Sequence, residues 1–475
     1  MRERNSRELA GLLGAELTGD GDVPIGPDVV IDSRAVTPGC LFVAMPGVRV
    51  DGHDFAAAAV EAGAAAVLVS REVPVGVPQL VVADPALALA RLATAVVADA
   101  TASGLVTIGI TGSSGKTSTK DLLAQVLATV GETVAPVGSF NNEIGVPLTA
   151  TRVGPTTRYL VSEMGARGIG HIGWLCRIVP PQVGVVVNIG HAHLGEFGSV
   201  ETIAQAKGEL VEALPASGWA VLNADDEQVR TMAGRTSARL AAFGVDAEPD
   251  FGELRVWASD VQADLLERAR FRLHAAGAAF GEAVVELQVT GRHQVGNALA
   301  AAAVALTQGL SLAQVATGLT QAVARSHWRM ELTARPDGLL VVNDAYNANP
   351  DSMQAALQTL ACLRQPDGRL LAVLGDMLEL GDGAAAAHRD IGALAARLGV
   401  DHLIAVGDFA ADLVAGASAD GLHAQIAADR EQAAELAAAW LRPPDVVLVK
   451  ASRGLALEHV AELLLADLTG TPGEG

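Results

Sequence analysis

The run Gly109-Ile110-Thr111-Gly112-Ser113-Ser114-Gly115-Lys116-Thr117 constrains this chain more than any other feature. An apolar strand, Leu105 to Ile110, empties into a glycine-rich turn that ends in Lys-Thr and opens a helix read over Thr117 to Val130. Such a turn needs a strand behind it and a helix in front, which commits the surrounding chain to an α/β sheet. Its chemistry is equally specific. Glycines let backbone N–H groups close around a polyphosphate, the helix start offers its positive end, Lys116 adds a point charge, and Thr117 can ligate magnesium. Thr111, Gly112, Ser113, Ser114 and Gly115 would then line the phosphates of a nucleoside triphosphate. The general pattern has a further glycine where this chain has Ile110, so the loop is the shorter form T-G-x-x-G-K-T.

At 475 residues the chain has room for about two to four domains, each with a sizeable core. Lys and Arg number 33 against 54 Asp and Glu, a net charge of -21 that repels nucleic acid and anionic lipid. An anionic substrate must therefore be met by local cations and magnesium. Cys40, Cys176 and Cys362 lie far apart with no C-x-x-C pair, which suits reduced cytosolic thiols rather than a disulfide frame or a zinc site. The charged start, Met1 to Glu8, leads into no signal-type apolar segment, and no later stretch has the length to span a bilayer. A cytoplasmic protein without membrane insertion is expected. Apolar residues make up 50% of the chain but aromatics only 3%, so the excess is alanine in helices such as Ala298 to Thr307.

Residues 1 to 104 alternate short β-runs (Leu41 to Ala44, Ala66 to Ser70, Leu80 to Ala83) with alanine-rich helices, as one leading α/β domain. From 105 to 334 the glycine loop opens a central domain, with buried-type strands at Tyr159 to Ser162, Val183 to Asn188 and Trp219 to Asn223. Continuous apolar strands alternating with helices imply a parallel sheet. Between Arg255 and Thr290 the pattern turns β-rich, which predicts an added antiparallel patch. From 335 to 475 the strands Leu339 to Asn343, Leu370 to Leu374, Leu403 to Val406 and Val446 to Val449 give a doubly wound, Rossmann-like third domain. The tail from Thr469 to Gly475 has no core-forming residues and is left unassigned.

Glu163 stands just after its strand, at the edge where open α/β sheets take ligands, and could hold magnesium. A solvated strand-end acid is the plain alternative. Asn188 runs out into Ile189-Gly190-His191-Ala192-His193, but magnesium prefers oxygen to imidazole, so a histidine zinc pair is weakly supported. Lys207 taken alone reads as a solvated helical lysine. Polar residues also gather where the second domain meets the third, in H-W-R-M-E (His327 to Glu331) and N-D-A-Y-N-A-N-P (Asn343 to Pro350). Concentrated polar groups at a hinge suggest a site that closes.

In order along nearly the whole chain, T-G-S-S-G-K-T, the Glu163 strand end, N-I-G-H-A-H-L, A-K-G-E, G-R-H-x-x-x-N, W-R-M-E and N-D-A-Y-N-A-N-P resemble the Mur ligase family. G-D-M-L-E-L-G (Gly375 to Gly381), N-N-E-I-G-V-P (Asn141 to Pro147) and L-V-K-A-S-R (Leu448 to Arg453) look like its MurF type. The leading domain agrees through I-D-S-R (Ile31 to Arg34), P-G-C-L-F-V-A (Pro38 to Ala44) and D-G-H-D (Asp51 to Asp54), which look like the uridine-nucleotide domain of that branch. Gln294 stands where the family usually has asparagine and Ala451 where glycine is common. Neither departure removes a charged group.

The resemblance implies ATP-dependent joining of D-alanyl-D-alanine to UDP-N-acetylmuramoyl-tripeptide through an acyl phosphate, by a monomer in the cytoplasm. It implies that Lys116 stabilises phosphate charge, that Thr117 and Glu163 hold one magnesium ion, and that His193 helps place a second. Lys207 is implied as a carbamate that turns a cation into a metal-binding anion. Asn142 and Asn297 are implied near the adenine, Arg329 at the phosphates and Asp344 near the ribose. Ser33, Arg34 and His53 are candidates for the uridine nucleotide. Tyr346, Asn347, Asn349, Asp376, Glu379, Lys450 and Arg453 are candidates for the dipeptide and closure surfaces. Two rival readings disagree with the sequence. A diamino-acid-adding or folate ligase disagrees with the missing D-N-P-R motif and with the leading domain. A noncatalytic nucleotide switch disagrees with the presence of Glu163, His193 and Lys207.

Overall fold

Apolar runs without alternation become buried parallel strands, because a strand covered on both faces has no solvent side to mark. The computed structural model, which describes residues 1–47, 50–190 and 194–466, arranges them as an α/β protein of three domains with mostly parallel sheets. In the leading sheet Val29–Val30, Leu41–Val43, Ala66–Val69 and Gln79–Val81 run parallel in that spatial order, and Glu16–Thr18 closes the edge antiparallel.

The middle sheet has nine strands. From one edge they are Glu132–Val134, Thr157–Glu163, Val106–Thr111, Val183–Val186, Trp219–Asn223, Arg239–Val245 and Leu254–Ala263, all parallel. Arg268–Gly277 and Gly281–Thr290 then continue antiparallel. The expected antiparallel patch is thus a continuation of the same sheet, since Leu254–Ala263 is a parallel partner on one side and an antiparallel one on the other. Register places Glu163 opposite Ile110 and Val186 opposite Thr111, so three strand ends open on one edge. The chain crosses from one side of Val106–Thr111 to the other between Glu163 and Val183, and that reversal leaves the crevice in which such sheets take ligands.

The loop helix, Lys116–Ala128, packs against the alanine-rich helix Gln294–Thr307, whose residues Ala298 to Ala305 are fully buried. Small side chains let this helix lie close to its neighbours, and they account for an apolar composition that carries few aromatics. The third sheet orders Leu340–Asn343, Val446–Lys450, Leu370–Gly375, His402–Val406 and Ala424–Ala427 in parallel. Glu331–Ala334, placed by the sequence reading at the close of the central domain, pairs antiparallel with Leu340–Asn343 and so edges the third sheet.

Cys40 and Cys176 are buried and Cys362 is exposed. Burial, then the nearby Glu209 charge, pushes the Cys176 thiol up to about 12. Among the described residues no helix is long and apolar enough to cross a membrane. The tail left unassigned in the sequence lies outside the described residues.

Candidate active site

The glycine loop turns sharply between the strand Val106–Thr111 and the helix Lys116–Ala128. Gly115 has a φ of 77°, and a Cβ there would stand 2.4 Å from the Asn297 side-chain oxygen, so both conformation and space require glycine. Asn188, at the end of the neighbouring strand, braces the loop. Its Oδ1 accepts from the Ser113 and Ser114 N–H groups at 3.0 and 2.9 Å, and its Nδ2 donates to Ser114 Oγ at 2.9 Å. Lys116 Nζ donates to the Gly112 carbonyl at 2.7 Å. Burial pushes the Lys116 ammonium down from its ordinary value, and the Glu163 charge holds it up in part.

Beside the loop lies a set of oxygens. Thr117 Oγ1 donates to Glu163 Oε2 at 2.8 Å and shares a hydrogen bond with Ser139 Oγ at 2.7 Å, while Asn141 Nδ2 donates to Glu163 Oε1 at 2.8 Å. A hydroxyl next to a carboxylate is the donor set of a hard divalent cation, and magnesium fits it. Among the described residues no three His, Cys, Asp or Glu side chains cluster as a metal site. His193, expected as a metal ligand, and His191 lie outside the described residues.

Lys207 is 2% exposed, sits in the helix Val200–Glu212 and faces the same cavity. Burial first, and then the Lys116 charge, push its ammonium well below the ordinary value. No described carboxylate pairs with it. Burial favours the uncharged amine, the form that adds carbon dioxide to give a carbamate, so its surroundings fit that modification.

The third domain supplies the facing wall. Arg329 donates through Nη2 to Ser139 Oγ at 2.7 Å and lies 4.2 Å over the Tyr346 ring. Asp344 accepts from Lys450 Nζ at 2.6 Å and from the Met330 N–H at 3.0 Å, and Lys450 also donates to the Asn347 carbonyl at 2.8 Å. Burial lowers the Lys450 ammonium, and Asp344 opposes that shift. Arg453 pairs with Glu458 and lies 4.4 Å over Trp328. The two domains meet at Glu379, whose carboxylate stands 3.5 Å from Arg167 and whose carbonyl accepts from Gly195 N–H at 3.0 Å.

Together these walls enclose a cavity of about 640 Å³. Ser113 to Thr117, Asn142, Glu163, Lys207, Asn297, Arg329, Asp344, Tyr346, Asn347, Asn349, Glu379, Lys450 and Arg453 all line it. A chain with a strong negative charge thus gathers the basic side chains of Lys116, Arg167, Lys207, Arg329, Lys450 and Arg453 around one chamber. Thr111 and Gly112 lie in the loop behind it, with the Thr111 hydroxyl bonded to the Met164 carbonyl at 2.9 Å.

Other expected residues are engaged elsewhere or differently. Asp376 does not line the cavity: its carboxylate accepts from the Asp408 and Phe409 N–H groups at 2.8 and 2.9 Å, capping a neighbouring strand end. Ser33, Arg34 and His53 lie in the leading domain, away from this chamber. Arg34 is exposed and forks onto Asp32. His53 is buried, with Nδ1 at 2.6 Å from Asp51 and Nε2 accepting from the Ser70 N–H at 2.9 Å, so both ring nitrogens are spent on the fold. Asn142 and Asn349 line the cavity, but their side-chain oxygens hold helix starts, accepting from Gly145 and Ser352 N–H groups at 2.8 Å. Gln294, the longer amide, accepts from Asn297 Nδ2 at 2.9 Å and so fixes that side chain.

Ser139, Asn141 and His293 are among the lining residues to which the sequence gives no role. Asn141 and His293 sit inside the motifs N-N-E-I-G-V-P and G-R-H-x-x-x-N, beside Asn142 and Asn297. Ser139 carries no local signal, because its partners are far along the chain.

Family models match in chain order: "Mur ligase family, catalytic domain" over residues 28–97, "Mur ligase middle domain" over 110–305, and "Mur ligase, glutamate ligase domain" over 328–453. The UDP-N-acetylmuramoyl-tripeptide--D-alanyl-D-alanine ligase of Mycobacterium tuberculosis is 49% identical over 506 aligned residues, covering 96% of this chain and 97% of that protein. A crystal structure of MurF from Acinetobacter baumannii superposes with a TM-score of 0.85 at 32% identity, covering 98% and 99% of the two chains. The MurF ligase of Thermotoga maritima in complex with ADP superposes at 0.76 with 29% identity, covering 93% and 97%.

Proposed function

The chain belongs to the Mur ligase family, and from that premise we propose how its cavity works as an ATP-dependent ligase joining D-alanyl-D-alanine to UDP-N-acetylmuramoyl-tripeptide. The observation that carries the reading is the single chamber in which the glycine loop, Glu163 and Lys207 of one domain face Arg329, Lys450 and Arg453 of the next. A carboxylate is a poor electrophile. The tripeptide's terminal carboxylate therefore attacks the γ-phosphate of ATP, ADP departs, and an acyl phosphate forms. The amine of the dipeptide then attacks that carbonyl, and phosphate leaves as the amide bond closes.

The chain's part is positioning and charge neutralisation. Loop amides and Lys116 hold the phosphate chain, and Arg329 approaches it from the facing domain. Thr117 and Glu163 would hold one magnesium ion, and Lys207, as a carbamate, would supply an anion for a second. Bound magnesium would neutralise charge on the phosphate oxygens. Asn297, fixed by Gln294, is assigned to the nucleotide base side. Tyr346, Asn347, Glu379 and Arg453 are assigned to the incoming dipeptide, and Ser33 and Arg34 to the uridine end of the long substrate. Asp344 is assigned to holding Lys450 and the Met330 backbone at the hinge.

The test is an incubation with magnesium-ATP, UDP-N-acetylmuramoyl-tripeptide and D-alanyl-D-alanine, each omitted in turn, following phosphate release and product mass. Phosphate release that needs both substrates, with a mass gain of one dipeptide, is the expected result. Folded, ATP-binding protein that gives no product with either a lysine- or a diaminopimelate-containing tripeptide would sink the reading.

A further inference from the structure

Two buried charges on the loop helix take no part in the chemistry above. Lys120 and Asp121 are 1% and 8% exposed, and their charged atoms stand 2.5 Å apart. Taking ions out of water is costly unless each is met by a partner and by hydrogen bonds. Here those bonds go to two segments on which the cavity depends. Lys120 Nζ donates to the Pro136 and Gly138 carbonyls at 2.9 and 3.2 Å, and to Ser326 Oγ at 3.4 Å. The Asp121 carboxylate accepts from the Ser326 backbone N–H at 3.0 Å.

One arm of this strut reaches the loop that leads into Ser139. The other reaches the start of the connection that carries Arg329. Both arms converge on one hydroxyl, because Ser139 Oγ bonds Thr117 and accepts from Arg329, each at 2.7 Å. The connection itself is not relaxed. Trp328 and Met330, on either side of Arg329, have φ of 59° and 49°, a region that such side chains occupy only when the surroundings hold them there.

We propose that Lys120 and Asp121 are positioning residues, which tie the loop helix to the Ser139 loop and to the interdomain connection so that Arg329 is aimed at the phosphate end of the cavity. They touch no substrate and act through Ser139 and Arg329. The proposal rests on the ligase reading, since turnover is its readout.

The test is a double-mutant cycle. Lys120→Met with Asp121→Leu removes both charges together, so neither is left buried alone. Lys120→Met with Asp121→Asn keeps an acceptor for the Ser326 N–H and serves if the first pair does not fold. Each is measured for kcat, for KM of ATP and for ADP affinity, in the natural background and with Arg329→Ala. In the natural background kcat should fall by about tenfold to a hundredfold while ADP affinity stays within about threefold, as expected when orientation is lost but the phosphate loop is intact. With Arg329 already removed, the same change should lower kcat by less than about twofold, the mark of groups that act as one unit. A full loss that persists without Arg329, or a folded pair variant that turns over normally, overturns the proposal. Unaltered protein runs in parallel: if it shows no substrate-dependent phosphate release, the ligase reading fails and the proposal falls with it.

Discussion

The middle and third domains present the same kind of surface, the carboxyl edge of a parallel sheet, and arm it in opposite ways. On the third, Lys450 is buried and answered: Asp344 lies 2.6 Å away and the Asn347 carbonyl accepts a second hydrogen bond. On the middle, Lys207 is equally buried, and no described carboxylate pairs with it. Burial of a lysine is therefore no sign of chemistry by itself. An answered charge holds the fold, and an unanswered one is left for a ligand or a modification to complete.

The strongest way to break this contrast is Lys450→Met, which leaves the Asp344 carboxylate buried without its paired cation. It should cost about 3–5 kcal/mol in urea unfolding, and a loss below about 1 kcal/mol would show that Asp344 is not held by this lysine. Lys116→Ala should lower turnover by about a hundredfold or more, the scale of losing one preorganised charge-stabilising donor, with the unfolding midpoint little changed. Near-normal kcat would remove this lysine from the mechanism.

Lys207 sharpens the contrast from the other side. Lys207→Met replaces an amine that no described carboxylate pairs with by an apolar chain, so it should lose activity without losing stability. Lys207→Ala should recover part of its turnover with a small added carboxylic acid, and a folded variant that ignores the acid would count against the carbamate. The pH dependence has a definite sign. Between the lowered folded value and the ordinary 10.5, the unfolded chain holds a proton on this amine that the folded chain does not, so stability rises with pH across that window. Urea midpoints in carbon-dioxide-free buffer should show a shallower rise for Lys207→Met, and parallel curves would show that the amine is not depressed. The smallest effect belongs to the leading domain. Arg34→Ala should leave the melting temperature unchanged, because its pair with Asp32 is exposed, and should raise KM for the uridine substrate alone.

What the sequence made legible follows from how local each signal is. The glycine loop, its strand and its helix are contiguous, and their apolar runs are long enough to exclude alternation. Arg239–Val245, a central strand, escaped notice because alanine and glycine dilute its apolar pattern. Asp376 and His53 show the opposite case. Each stands in a distinctive motif, yet the N–H groups of Asp408, Phe409 and Ser70 that claim them come from strand ends which only the tertiary fold brings near. Ser139 and Lys120 were invisible because their value lies in partners such as Ser326 and Arg329, roughly two hundred positions away.

Arg167 and Glu379 close the rim of the chamber across the domain boundary, with side chains 68% and 36% exposed. A pair so open to water is screened by ordinary salt and contributes little holding power. That ion pair by itself is a weak lock. The dwell time of the shut form is set by what bridges the chamber from within, phosphates against cations on both walls, so an empty enzyme should breathe quickly and a loaded one slowly.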